Sequence, residues 1–174
     1  MQKYLEERGI GFDVGVAKVP LVCQSCLFDL VAVNALDDIY ASDGTMVAGL
    51  LNEEKTGLSN TLEELLQDVE IPANLFTCNT TLGVIVTNAR LQKTQLCKVA
   101  GMAHNGYARA IRPVHTTADG DSIYALSLGD VSSDINLIGA MAAMTMERAI
   151  LRAVRAAKGA YGLPSYEDIN MIQK

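Results

Sequence analysis

Asn79-Thr80-Thr81 stands directly before the apolar run Leu82-Gly83-Val84-Ile85-Val86, so a hydroxyl-bearing residue is offered at the start of a buried-type strand. Threonine is a weak nucleophile at its free pKa and needs a base; an N-terminal threonine carries one in its own α-amine. The chemistry this placement suggests is acyl transfer through Thr80, on condition that the chain is cut between Asn79 and Thr80. Threonine is also an ordinary strand residue. The same tripeptide is a formal glycosylation sequon, idle in a chain with no secretory signal. Spacing alone leaves these readings open.

Asp119-Gly120-Asp121 is the second candidate. Carboxylates at i and i+2 on a strand point to one face, while Asp-Gly is equally an ordinary turn signal. His104 and His115 lie eleven positions apart in no recognised ligand spacing and read as helix-surface or loop-support residues. Arg109 and Arg112, near a helix end, read as partners of its carbonyls and dipole. Cys23-Gln24-Ser25-Cys26 has C-x-x-C spacing, but Cys78 and Cys97 make no second pair. All four cysteines are expected as free structural thiols. No metal and no cofactor are expected.

These residues must be held by elements that the apolar pattern already outlines. Tyr4 to Arg8 reads as a short helical turn ending at Gly9. Gly11 to Val22 reads as strand-like, with Pro20 making it an edge or an irregular strand. Leu27 to Asn34 is an apolar run of the kind buried on both faces. Asp37 to Leu51 carries the turn signal Ser42-Asp43-Gly44, and Asn52 to Asn60 is a polar loop. Thr61-Leu62-Glu63-Glu64 has capping-box spacing and opens a helix to about Val69, which Pro72 ends. Leu82 to Thr87 is a strand. Leu91 to Ile111 places Leu96, Val99, Ala103, Tyr107 and Ala110 on one helical face and closes at Pro113. Ser122 to Leu128 is a strand, and Ser133 or Asp134 caps a helix from Ile135 to Lys158 that Gly159 and Pro164 stop. Strands with two long helices favour an α+β layered domain.

The 174 residues are about one average domain, with 49% hydrophobic and 20% charged residues, the balance of a packed protein rather than a disordered segment. The net charge of −6 and the lack of a Lys/Arg run argue against a nucleic-acid partner. Apolar stretches stop well short of a membrane span, and Met1 to Arg8 has no apolar signal core, so a cytoplasmic chain is expected.

The chain resembles the DmpA-type L-aminopeptidase/D-esterases, self-processing relatives of the β-aminopeptidases. The residues that carry the likeness are Tyr4-Leu5-Glu6-Glu7-Arg8-Gly9 with Gly11-Phe12, Val14 to Pro20, Leu27-Phe28-Asp29-Leu30 and Val31-Ala32-Val33-Asn34-Ala35. In the second half they are Asn79 to Val84, Met102-Ala103-His104, Ala108 to Thr116, Asp119-Gly120-Asp121 and Arg152 to Ala157.

The resemblance implies an αββα layered sandwich, shared with the ornithine acetyltransferases and here incomplete, forming one domain over 1–174. It implies self-cleavage into 1–79 and 80–174 at Asn79-Thr80. Thr80 is then the N-terminal nucleophile of an aminopeptidase or amidohydrolase acting on small peptides, amides or esters. Asn34 is its oxyanion donor, and Asp119 and Asp121 are the polar pair beside it. A homo-oligomer is expected. The family pattern also implies that an N-terminal strand region is missing and that a long Gly-rich segment between Leu30 and Val31 is deleted, while neutral Gln24 stands where an acidic substrate-ammonium residue is expected. Two alternatives accompany this reading: an acyltransferase of the ornithine acetyltransferase type, and an inactive truncated relative.

Overall fold

A computed structural model describes residues 13–20, 26–52, 54, 56–67 and 79–172. The expected turn at Tyr4 to Arg8, Cys23, Pro72 and Cys78 lie outside them. The described elements are β1 (Asp13–Pro20), β2 (Cys26–Val33), β3 (Asp38–Tyr40), β4 (Met46–Ala48), α1 (Thr61–Gln67), β5 (Leu82–Ala89), α2 (Lys93–Ala110), β6 (Ile111–Arg112), β7 (Ser122–Val131), α3 (Ile135–Ala156) and α4 (Tyr166–Ile172).

Sheet A has the order β1-β2-β5-β7. The first three strands run antiparallel, and β5 and β7 are parallel, joined by a crossover through α2. β1 is an edge strand, where Pro20 removes no ladder donor from a central position. Helix α3 lies across β1 and β2, and α2 lies beside it and against β7. The core is the layer between: Leu27, Val31 and Ile85 from the sheet, Val99, Ala103 and Tyr107 from α2, and Ile138, Met146 and Ile150 from α3. The helical stripe expected on α2 is the stripe that is buried there.

The two helices approach closely because Gly106 and Gly139 leave out side chains at their contact. A Cβ on Gly106 would strike the Ala143 carbonyl oxygen, and one on Gly139 would strike the Met102 sulfur. Asp134 caps α3, accepting the N–H groups of Asn136 at 2.8 Å and Leu137 at 3.0 Å, which decides between the two candidate caps.

Two expectations are corrected. β2 is not buried on both faces: Leu27, Asp29, Val31 and Val33 point to the helices and are buried, whereas Phe28 and Leu30 are each 37% exposed. Among the described residues helices cover only one side of sheet A, so a run of apolar residues here is a half-covered strand. The cap of α1 is Asn60, whose Oδ1 accepts the Leu62 and Glu63 N–H groups at 2.9 and 3.1 Å. Thr61 is instead drawn to the buried Asp38, which accepts its N–H at 2.8 Å and its hydroxyl at 2.6 Å.

The second sheet has the order β4-β3-β6. Asp38 and Ile39 of β3 pair with Arg112 and Ile111 of β6, and the Arg112 guanidinium lies 4.7 Å from the Tyr40 ring centroid. This pairing ties the turn after β2 to the loop after α2. Both end beside the residues that precede β5.

Candidate active site

Thr80 sits between three segments. Its N–H donates to the Asn34 carbonyl oxygen at 3.0 Å, where β2 ends. Its hydroxyl donates to the Asn79 carbonyl oxygen at 2.6 Å. That same oxygen accepts the Gly120 N–H at 3.0 Å, across a parallel bridge between Asn79 and Asp119. The peptide bond between Asn79 and Thr80 thus has a hydroxyl in contact with its carbonyl and a backbone donor fixed on its oxygen. Charge that develops on that oxygen during attack meets a donor already in place. Position 120 requires glycine for this approach, because a Cβ there would lie 2.6 Å from Thr80 Oγ.

Asp121 anchors the next residue. Its Oδ1 accepts the Thr81 N–H at 2.8 Å, and its Oδ2 lies 3.3 Å from His115 Nδ1. His115 Nε2 is 3.3 Å from His104 Nδ1, and the His104 ring meets the Tyr107 ring edge-on at 5.3 Å. The Tyr107 hydroxyl donates to the Thr81 carbonyl at 3.2 Å. A polar chain therefore runs from the Thr80-Thr81 segment through Asp121 and His115 to His104 on α2. Burial pushes the Asp121 carboxyl up, with Asp119 adding to it, against the lowering effect of the Thr81 N–H and the histidines. Burial and the His115 charge pull His104 down, and burial keeps the Tyr107 phenol un-ionised.

The two aspartates divide their work. Asp119 Oδ2 accepts the Thr116 N–H at 2.7 Å and its hydroxyl at 2.9 Å, closing the 116–119 turn. Of the two, Asp121 reaches the Thr80-Thr81 segment with its side chain, so the turn reading and the site reading hold for different members of the pair. Asn34 is beside Thr80 by its backbone. Arg109 faces Glu147 at 3.8 Å and Arg112 faces Tyr40, so neither is needed at the site.

Sequence reasoning missed four contributors. His104 and His115 were read as support, yet they join the Asp121 chain. The usable signal was His104 at i−3 from Tyr107, on the buried stripe of the same helix. The Gly120 N–H carries no side-chain signature at all. Asp37, in the turn after Asn34, is 5% exposed and its Oδ2 has no hydrogen-bond partner among the described residues. Burial, then Asp119, Asp38 and Asp121, push its carboxyl up to about 6. Among the described residues no group of three or more His, Cys, Asp or Glu is arranged to hold a metal ion. Cys26 and Cys97 are free and exposed. No helix among the described residues is long and apolar enough to cross a membrane.

A sequence model described as Peptidase family S58 matches residues 23–165. An uncharacterized aminopeptidase of Mycobacterium leprae is 31% identical over 170 residues, 88% of this chain and 47% of that protein. A 6-aminohexanoate-oligomer endohydrolase of Kocuria sp. is 33% identical over 90 residues, 44% of this chain and 25% of its own. Among solved structures, the L-aminopeptidase D-Ala-esterase/amidase of Ochrobactrum anthropi, a prototype for the serine aminopeptidases with a variant of the Ntn-hydrolase fold, superposes with a TM-score of 0.58 at 17% identity, covering 93% of this chain and 47% of that one. A Burkholderia sp. β-aminopeptidase gives 0.55 at 17% identity, covering 92% and 48%. The fold is that of these Ntn hydrolases, and this chain spans about half the length of such relatives. Matched over residues 23–165, with Thr80 at the head of its central strand, the chain belongs to peptidase family S58.

Proposed function

We propose that this chain is a self-processing amidohydrolase of the aminopeptidase type with Thr80 as its nucleophile. The observation that carries the reading is the Asn79 carbonyl oxygen, which accepts the Thr80 hydroxyl at 2.6 Å and the Gly120 N–H at 3.0 Å. In the intact chain Thr80 Oγ attacks the Asn79 carbonyl carbon, and the Gly120 N–H steadies the oxyanion. The C–N bond breaks, the proton passes to the departing amine, and an ester joins Asn79 to Thr80 Oγ. Water hydrolyses that ester, leaving an Asn79 carboxylate and a free Thr80 amine.

The mature nucleophile then acts on small peptides, amides or esters. The Thr80 α-amine takes the hydroxyl proton as Oγ attacks the acyl carbon, and returns it to the leaving amine. The Asn34 side chain donates to the new oxyanion, and water releases the acyl group. Asp121 holds Thr81, and so the nucleophile, in register. Relatives named for aminopeptidase activity and for hydrolysis of a 6-aminohexanoate oligomer support an amide substrate. A cytoplasmic homo-oligomer belongs to the same reading.

The test is the intact mass of the purified chain under denaturing conditions, beside Thr80→Ala. Wild type is expected to split into 1–79 and 80–174, and the variant to stay at 18.6 kDa. If both stay whole after long incubation, the reading fails and the inactive-relative alternative stands. Once splitting is established, amino-acid p-nitroanilides assayed against acetyl-ornithine separate a hydrolase from an acyltransferase.

A further inference from the structure

The Asp121 side chain is only 6% exposed, whereas that of His115 is 38% exposed. The enclosed carboxylate accepts the Thr81 N–H on Oδ1 at 2.8 Å and presents Oδ2 to His115 Nδ1 at 3.3 Å. Among the described residues its other titratable neighbours are Asp119 on the same loop, Asp37 in the turn after β2, and His104 and Tyr107 on α2. The two aspartates oppose its charge, burial keeps Tyr107 un-ionised, and burial with the His115 charge draws His104 away from its charged form. His115 is the neighbour that most favours the charged carboxylate.

Packing, and not local preference, holds His115 there. Its backbone lies at φ 58°, in the left-handed region that residues other than glycine occupy when their surroundings hold them. Its Nε2 meets His104 Nδ1 at 3.3 Å. Its ring centroid is 4.8 Å from that of His104 and 6.1 Å from that of Tyr107. With Nε2 turned to α2, Nδ1 faces the Asp121 carboxylate.

We propose that His115 is a positioning residue for cleavage at Asn79-Thr80, holding the Asp121 carboxylate on the Thr81 N–H and thereby the Thr80 hydroxyl on the Asn79 carbonyl. The inference rests on the Thr80 reading and extends it to the residue that sets the pH range of cleavage. A charged carboxylate grips an N–H about twice as strongly as a neutral acceptor does. Thr81 is the next residue after the nucleophile, so a loosened Thr81 N–H lets the hydroxyl drift from its line of attack. A cation within about 4 to 6 Å lowers a carboxyl pKa by about 1 to 3 units. Without the imidazole, burial and Asp119 push the Asp121 carboxyl higher, and it takes up a proton at a pH where the wild-type carboxylate is still charged.

The rate at which freshly synthesised full chain splits, followed by denatured mass in buffers from pH 5 to 9, tests this. His115→Gly removes the imidazole and suits the left-handed backbone. Its fall in rate on the acid side is expected to move up by about one pH unit or more. At the pH where wild type runs at half its maximum rate, the variant should be slower by about fivefold or more, and the two should converge at pH 9. His115→Asn, uncharged and also tolerant of this backbone, should shift the profile in the same direction. In an Asp121→Asn background, where position 121 no longer titrates, His115→Gly should add no shift. Uniform slowing at every pH, a wild-type profile in both His115 variants, or a shift that persists without Asp121 would each overturn the positioning role while leaving Thr80 as nucleophile. A wild type that stays whole at every pH would instead overturn the Thr80 reading, and the positioning role with it.

Discussion

At the scale of residues, the site is a set of small tasks given to neighbours in space. Asn34→Ala removes the proposed oxyanion donor, and loss of such a donor costs about 3 to 4 kcal/mol of transition-state stabilisation. Turnover of an amino-acid anilide should fall by about 100- to 1,000-fold, while the melting temperature stays near wild type; an equal loss of both would mark Asn34 as structural. Asp29 illustrates a residue whose consequence is for stability. It is fully buried between β2 and α3, bonded to the Thr145 hydroxyl, which in turn donates to the Met141 carbonyl at 2.8 Å. Burial pushes its carboxyl up to about 7, against the lowering effect of Thr145. An acid raised in this way binds more protons folded than unfolded, so stability falls as pH rises from about 4 to about 7 and levels off above. The upper bound of this loss is about 4 kcal/mol. Urea titrations across that range should show the decline in wild type, and Asp29→Asn should flatten it; an unchanged slope in the variant would place the effect elsewhere.

At the scale of elements, Thr80 is held by strand ends and loop backbone rather than by a cleft. Gly120→Ala puts a methyl group 2.6 Å from Thr80 Oγ and must displace either the hydroxyl or the Gly120 N–H. Self-cleavage should slow by at least tenfold, about 1.4 kcal/mol of barrier, with the circular dichroism spectrum unchanged. A variant that splits at the wild-type rate would remove Gly120 from the mechanism. The cap of α3 gives a purely structural counterpart: Asp134→Ala leaves the Asn136 and Leu137 N–H groups without their side-chain acceptor. It should cost about 1 kcal/mol in denaturant unfolding, with no effect on processing.

At the scale of the whole molecule, sheet A is built from both sides of the proposed scission. β2 belongs to 1–79 and β5 to 80–174, and the two pair over Leu27 to Ala32 against Thr87 to Leu82. The two pieces should therefore co-elute in gel filtration after cleavage and separate only in denaturant. Separation under native conditions would mean that the β2–β5 ladder and the α3 contact to β2 do not hold the halves together.

Much of this architecture was legible in the chain because it is local. The stripe of α2, a cap at Ser133 or Asp134, the Ser42-Asp43-Gly44 turn with Gly44 at φ 86°, and an edge or irregular strand at Pro20 follow from periodicity and backbone preference. Thr80 could be singled out because hydroxyl chemistry at the head of a strand is a sequence property, and family motifs then gave it a role. The rest depends on contacts across long separations. Periodicity cannot say that among the described residues helices cover only one face of sheet A, that Asn60 and not Thr61 caps α1 because Asp38 claims Thr61, or that His115 meets Asp121 and His104. The donor on the Asn79 carbonyl is the backbone N–H of Gly120, forty-one residues downstream, with no side chain to mark it. The sequence by itself determined the longer strands and helices and singled out Thr80 as the candidate hydroxyl; only the tertiary structure decided what surrounds that hydroxyl, because hydrogen-bond partners and burial are set by how separate segments pack.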